Sequence, residues 1–190
     1  MYKINLLITL STVFLFVNTS YANKVNVDSL LKVCNQSGEI DIVAHQKLFD
    51  HYAKNDPDLL FEKAKKLLER AIDDDNEIAE MTAYFYLADY YSERGSSGLA
   101  FQNLYRVRDY YEKSDAGLEL VEVYNGIGNV HYRRGEYKEA VLWYLKSMAK
   151  GKDLDNPDFE NLARLNLGRS YIALKDTIKG EATVLDYIDQ

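Results

Sequence analysis

The sequence predicts an all-α protein, a right-handed superhelical stack of antiparallel helix pairs, and three observations carry that expectation. Apolar residues recur at spacings of three and four, with no strand-like alternation competing. A self-similar pattern returns every forty residues over three units. Only two prolines interrupt 190 residues, and each stands where a helix would begin. The composition, 47% apolar and 28% charged, is that of a globular chain rather than a disordered one. A single cysteine, Cys34, excludes an internal disulfide. Sixteen Tyr and seven Phe against one Trp are a heavy aromatic load that the packing has to accommodate.

Residues 1–22 read as a signal peptide. Lys3 supplies the basic start, Leu6 to Val17 an apolar centre of twelve residues, and Ser20 and Ala22 the small residues of a peptidase site. Twelve apolar residues are too few for a membrane-spanning helix, which needs about 20. Cleavage after Ala22 removes Lys3 and moves the formal charge from −7 to −8. An acidic chain lacks the positive field that sequence-independent nucleic-acid binding requires. No second apolar run reaches spanning length, so the expected location is exported, periplasmic or secreted.

Residues 23–75 read as a leading helix, Val27 to Val33, and a degenerate first pair, Ile40 to Lys54 with Asp58 to Ile72. Asp56-Pro57 and Asn156-Pro157 each form an N-cap followed by Pro at the first helical position. Residues 76–190 hold three units in register. Stepping by forty aligns Leu87, Ile127 and Leu167; Ala88, Gly128 and Gly168; Tyr91, His131 and Tyr171; Ala100, Ala140 and Gly180; and Leu104, Tyr144 and Val184. Small residues facing each other let two helices approach closely, and an aromatic fills the neighbouring hole. Gly95 and Gly135 fall where a first helix must end in a left-handed residue; Lys175 takes that place in the third unit.

These residues resemble the tetratricopeptide repeat, matched best by Tyr124, Ile127, Gly128, Gly135, Tyr137, Ala140 and Tyr144. The family's unit is about 34 residues, so the resemblance implies that the excess lengthens the second helices and the loops after them, notably Asp73 to Glu77 and Gly151 to Asn156. It also implies a concave face lined by the first helices. In the best unit that face carries Glu122, Asn125, Asn129, Tyr132 and Arg133; in the unit before, Thr82, Phe85, Asp89, Ser92 and Glu93; in the one after, Leu162, Leu165, Arg169, Ile172 and Ala173. Asn side chains there can hydrogen-bond a peptide backbone, and Tyr132 and Phe85 can anchor an apolar side chain. A solvent-facing surface with no ligand is the plain alternative. The subset of the family that grips a terminal carboxylate with Lys and Asn is not matched, since the Lys is missing and Asp89 would repel the ligand.

No catalytic, cofactor or metal site is expected. His45, His51 and His131 have no i, i+4 partner, and Gly126-Ile-Gly128 lacks the strand and third glycine of a dinucleotide fingerprint. His131 stands at the repeat's aromatic position, where a packed imidazole is expected. The acidic runs lack a calcium loop's closing Glu and read as solvated linkers.

Two functions follow. The first is an exported interaction module that binds a protein or peptide. The second is the sensory amino-terminal portion of a larger membrane-bound regulator, which a signal peptide followed by such repeats resembles. An enzyme is the third class, and only converging titratable groups in a closed pocket would support it. The last helix carries Val184, Leu185, Tyr187 and Ile188; a stack needs a covered end, so another element or self-association through this helix is expected to cover them.

Overall fold

A computed structural model describes residues 26–188 apart from Ser37, Asp115 and Asn156, with side chains described as far as Thr183. The expected signal peptide, residues 1–22, lies outside the described residues, as do the side chains of Val184, Leu185, Tyr187 and Ile188 on which the expected self-association rests. Among the described residues there are nine α-helices and no strand: α1 (Val27–Cys34), α2 (Ile42–Asn55), α3 (Pro57–Asp73), α4 (Glu77–Glu93), α5 (Ser97–Ser114), α6 (Gly117–Arg133), α7 (Tyr137–Asp153), α8 (Pro157–Ala173) and α9 (Thr177–Ile188). None of these is long and apolar enough to cross a membrane.

The chain divides into two compact units, residues 1–51 and 52–190. In the first, both helices begin on a side-chain cap. Asn26 accepts from the Ser29 N–H at 3.0 Å and Asp41 from the Ala44 N–H at 2.8 Å, each satisfying a donor the helix itself cannot. His45 is buried with Nδ1 2.8 Å from the Asp41 carbonyl oxygen; a carbonyl only accepts, so that nitrogen carries the proton.

The second unit is an all-α stack in which, from α4 onward, each helix packs on the next. Its regularity is finer than the forty-residue period. Helices begin at Pro57, Glu77, Ser97, Gly117, Tyr137, Pro157 and Thr177, a step of twenty. Apart from α5 at 18 residues and α9 at 12, these helices are each 17 residues long. The repeat is therefore two equal halves. The two helices of a pair are thus of nearly equal length, whereas a longer second helix and following loop were expected.

Turn chemistry explains why the loops stay short. Asp75, Gly95, Gly135 and Lys175 all adopt left-handed backbone, with φ of 53°, 73°, 77° and 65°. In each case the next N–H reaches back to close the helix end: Asn76 to the Ala71 carbonyl, Ser96 to Tyr91, Glu136 to His131 and Asp176 to Tyr171, at 2.8–3.0 Å. Asn76 then caps the following helix by accepting from the Ala79 N–H at 3.0 Å. The acidic run at Asp73 to Glu77 is thus an exposed connection built from a helix end, a left-handed aspartate and an N-cap. Asp155, eighty residues on from Asp75, holds the same left-handed backbone at φ 50°. At the start of α3, Asp56 accepts from the Leu59 N–H with Pro57 in the first turn.

The first helices of successive pairs touch, α4 with α6 and α6 with α8, whereas among the described residues the second helices α5, α7 and α9 do not. A row of helix pairs in contact along one side and separated along the other curves with the contacting side inward, so α4, α6 and α8 line the inside. Between the helices lies the core. Leu87, Ala88, Ala100, Ile127, Gly128, Ala140, Tyr144, Leu167, Gly168 and Gly180 are all buried. Small residues set the spacing: a Cβ on Gly180 would stand 3.0 Å from the Gly168 carbonyl oxygen.

Much of the aromatic load joins second helices to the first helix of the next pair. Phe61 on α3 meets Tyr91 on α4 at 5.9 Å between ring centroids, and forty residues later Phe101 on α5 meets His131 on α6 at 4.6 Å. His131 is held by Glu136 at 2.7 Å and is a packed imidazole. Cations lie over the faces of several rings, as where Lys146 stands 4.4 Å from the Trp143 centroid.

Candidate functional site

Asn125, Asn129 and Arg133 follow one another at intervals of four on α6, which places them on one helix face. Helices α4 and α8 flank that face and supply its remaining side chains. Tyr132, also on α6, carries the Arg169 guanidinium of α8 over its ring at 5.1 Å from the centroid.

A chain of hydrogen bonds orients the amides. Arg169 Nη1 donates to Asn166 Oδ1 at 3.4 Å. A guanidinium has donors only, so Asn166 must present its oxygen to Arg169 and its nitrogen elsewhere. That nitrogen donates to Asn125 Oδ1 at 2.9 Å. Asn166 is only 8% exposed, so its amide needs both partners. On the next turn, the Tyr144 hydroxyl donates to Asn129 Oδ1 at 2.8 Å. Both Asn125 and Asn129 therefore spend their oxygen inward and keep their NH2 groups for whatever lies on the face.

Tyr144 is 2% exposed, and burial raises its phenol well above the ordinary tyrosine value, while Arg169 and then Arg133 oppose that rise. Arg133 bridges to α4, donating to Ser92 Oγ at 2.8 Å and pairing with Glu93. An exposed pair of this kind contributes about 0–1 kcal/mol, so its effect is to hold the Arg133 side chain in place more than to stabilise the fold.

The structure thus brings Asn129, Tyr132, Arg133 and Arg169 together around Tyr144, with Asn125 one turn away and joined to Arg169 through Asn166. Phe85 and Asp89 are half-buried on α4. Phe85 borders α6, where a Cβ on Gly126 would come within 3.7 Å of its ring. Thr82 and Ser92, expected to line the open face, are instead buried: Thr82 Oγ1 donates to the Ile78 carbonyl at 2.9 Å and Ser92 receives Arg133. At the other end Leu162 and Ile172 are open, 45% and 43% exposed.

Asn166 and Tyr144 are the members that sequence reasoning did not assign to the site. Tyr144 stood out only as a packing residue, and its hydroxyl was the overlooked part. Asn166 had a readable signal, an amide at a helix position whose forty-residue equivalent is Gly126, a step of forty-one from Asn125.

No protein-family model matches the chain, and no curated protein is significantly similar to it.

Proposed function

We propose that this chain is an exported helical-repeat module of the tetratricopeptide kind, which binds a polypeptide segment on the inner face of its first helices and is not an enzyme. What supports the reading is that Asn125 and Asn129 use their oxygens as acceptors within the fold, which leaves their NH2 groups as the donors of this face, beside Tyr132 and Arg133, on a helix inside the curve. Residues four apart on a helix are about 6 Å apart along its axis. Alternate carbonyls of an extended strand repeat at about 6.6 Å, so one bound strand can accept from both amides. Tyr132 and Phe85 add apolar surface for its side chains.

The test is partner capture from exported proteins, with each captured protein purified and its affinity measured directly. Replacing Asn129 and Arg133 together by Ala should weaken the measured affinity at least tenfold while leaving the helical circular dichroism unchanged. Undiminished affinity in the double variant would overturn the reading. The export half is tested by intact mass, which should lack residues 1–22.

A further inference from the structure

We infer that copies of this chain associate head to tail, the outer face of α7 in one copy seating on the turn between α3 and α4 of the next. The inference is independent of the polypeptide-binding reading, and the contact involves neither the inner face nor α9. Three observations lead to it.

The first is an apolar pair left in the open on a helix whose core face is already filled. Ala140, Val141, Tyr144, Ser147 and Gly151 are the buried side of α7. Leu142 and Leu145 are 62% and 37% exposed. Lys138 and Lys146 stand four residues before and four after Leu142, so these side chains share the outward face. The helix carries Lys138, Lys146, Lys150 and Lys152 against Glu139 and Asp153, in a protein where 30 acidic side chains outnumber 23 basic ones.

The second is an apolar pair in the opposite surroundings. Ile72, near the end of α3, is 56% exposed, and Ile78, at the start of α4, is 52% exposed. Between them stand the exposed carboxylates of Asp73, Asp74, Asp75 and Glu77, of which Asp74 pairs with Arg70. Forty residues on, Leu118 holds the place of Ile78 at the start of α6 and is 45% exposed, which continues the apolar surface. Helix capping does not account for the charges at the centre of either face. Asp73 ends α3, and Lys138 lies in the first turn of α7, so each opposes the dipole of its own helix.

The third is the match between the two faces in sign and in spacing. Lys138 and Lys146 are about 12 Å apart along the axis of α7. Helices α4 and α6 touch, and packed helices stand about 8–10 Å apart. A copy of α7 laid across their first turns therefore sets one lysine against Asp73, Asp75 and Glu77 and the other against Glu119, with Leu142 and Leu145 over Ile72, Ile78 and Leu118. An anionic lipid surface would suit α7 alone, and a cationic partner would suit the turn alone. A second copy covers both apolar pairs at once. Because the two faces differ, the contact is heterologous, and each pair of copies retains one free face of each kind to which further copies add.

Sedimentation velocity of the purified protein tests this. The average mass should rise with concentration at low salt and fall back toward the monomer at high salt, which screens the charges. Lys138→Gln with Leu142→Gln blocks the α7 face, and Ile72→Gln with Asp75→Asn blocks the turn. All four positions are exposed, so helical circular dichroism should be unchanged while each double variant associates at least tenfold more weakly. An equal mixture of the two variants should regain association and stop at two copies, because one intact α7 face then meets one intact turn. A mass independent of concentration, association untouched by either double variant, or a mixture that regains nothing would each overturn the inference. A monomer that sediments with phosphatidylglycerol vesicles, and loses them on Lys138→Gln with Leu142→Gln, would overturn it in favour of a lipid surface.

Discussion

Gly128 lies flat against the Tyr144 ring: a Cβ on Gly128 would stand 2.6 Å from Tyr144 Cε1 and 2.8 Å from Cδ1. The ring cannot move aside, because it is 2% exposed and its hydroxyl is tied to Asn129 at 2.8 Å. One missing methyl on α6 thus sets where α7 lies, and the phenol that occupies the space orients an amide of the inner face. Packing and candidate site share this contact.

Gly128→Ala is expected to destabilise the protein by about 1–3 kcal/mol, the usual cost of overpacking a filled core. Gly126→Ala is the comparison, since its added Cβ meets only a Leu104 methyl, at 3.1 Å rather than 2.6 Å, so far less displacement is needed. There the gain in helix propensity, about 1 kcal/mol, offsets the crowding. Urea unfolding of the two variants should separate them by at least 1 kcal/mol; equal midpoints would refute the account of the contact.

Lys175 holds a left-handed backbone that its glycine counterparts Gly95 and Gly135 adopt without strain. Lys175→Gly is expected to stabilise by about 1 kcal/mol, because an L side chain in that region costs about 1–2 kcal/mol and the extra freedom of unfolded Gly returns part of it. Thermal unfolding reads the effect as a raised midpoint. Gly135→Ala should act in the opposite direction, since its φ of 77° becomes unfavourable once a Cβ is present.

Alkaline stability should follow two phenols. Burial, with Glu119 next, pushes Tyr111 up to about 12. Burial, then its hydrogen bond to Glu112 at 2.9 Å, pushes Tyr124 up to about 12. A folded value raised above the unfolded one, about 10 for tyrosine, means that the contribution is complete below pH 10 and is lost as pH rises toward the folded value. Tyrosinate absorbance should therefore show these phenols ionising together with unfolding. Tyr111→Phe should flatten the fall in stability over that window, and an unchanged slope would count against the assignment.

On the acid side the hydrogen bond from His131 holds the Glu136 carboxyl below the usual glutamate range, with Arg134 helping against a smaller rise from burial. A depressed carboxyl stabilises the fold above its unfolded value and loses that contribution as pH falls through its folded one. Glu136→Gln should reduce the loss of thermal stability on acidification. Should the variant and the parent lose stability in parallel, the His131–Glu136 pair has no part in acid unfolding.

Helix class, pairing and most of the packing set were legible because they depend on local spacing. Ala88, Gly128 and Gly168 declare themselves at intervals of forty, and all three are buried. The turns were half legible. Gly95 and Gly135 announce a left-handed residue, but Asp75 and Lys175 take the same conformation without glycine, because the N–H that follows each closes a hydrogen bond that offsets the strain. The acidic run at Asp73 to Glu77 reads from sequence as a solvated linker, and it is one, with a tight turn inside it.

The candidate face was legible residue by residue and illegible as a network. Spacing along α6 puts Asn125, Asn129 and Arg133 on one side, and nothing in that spacing says which end of an amide points outward. Orientation came from Asn166 and Arg169, some forty residues away, and from the buried hydroxyl of Tyr144.

By itself the sequence determined an all-helical chain with a forty-residue repeat, since helix periodicity and the placement of small residues are properties of neighbours along the chain. Only the tertiary structure decided that the repeat is two equal halves of twenty, that Thr82 and Ser92 are covered, and that the inner face offers donors. Those features depend on contacts between helices remote in sequence, where the Arg169 guanidinium, which can only donate, sets how Asn166 meets Asn125, and the buried Tyr144 hydroxyl donates to Asn129.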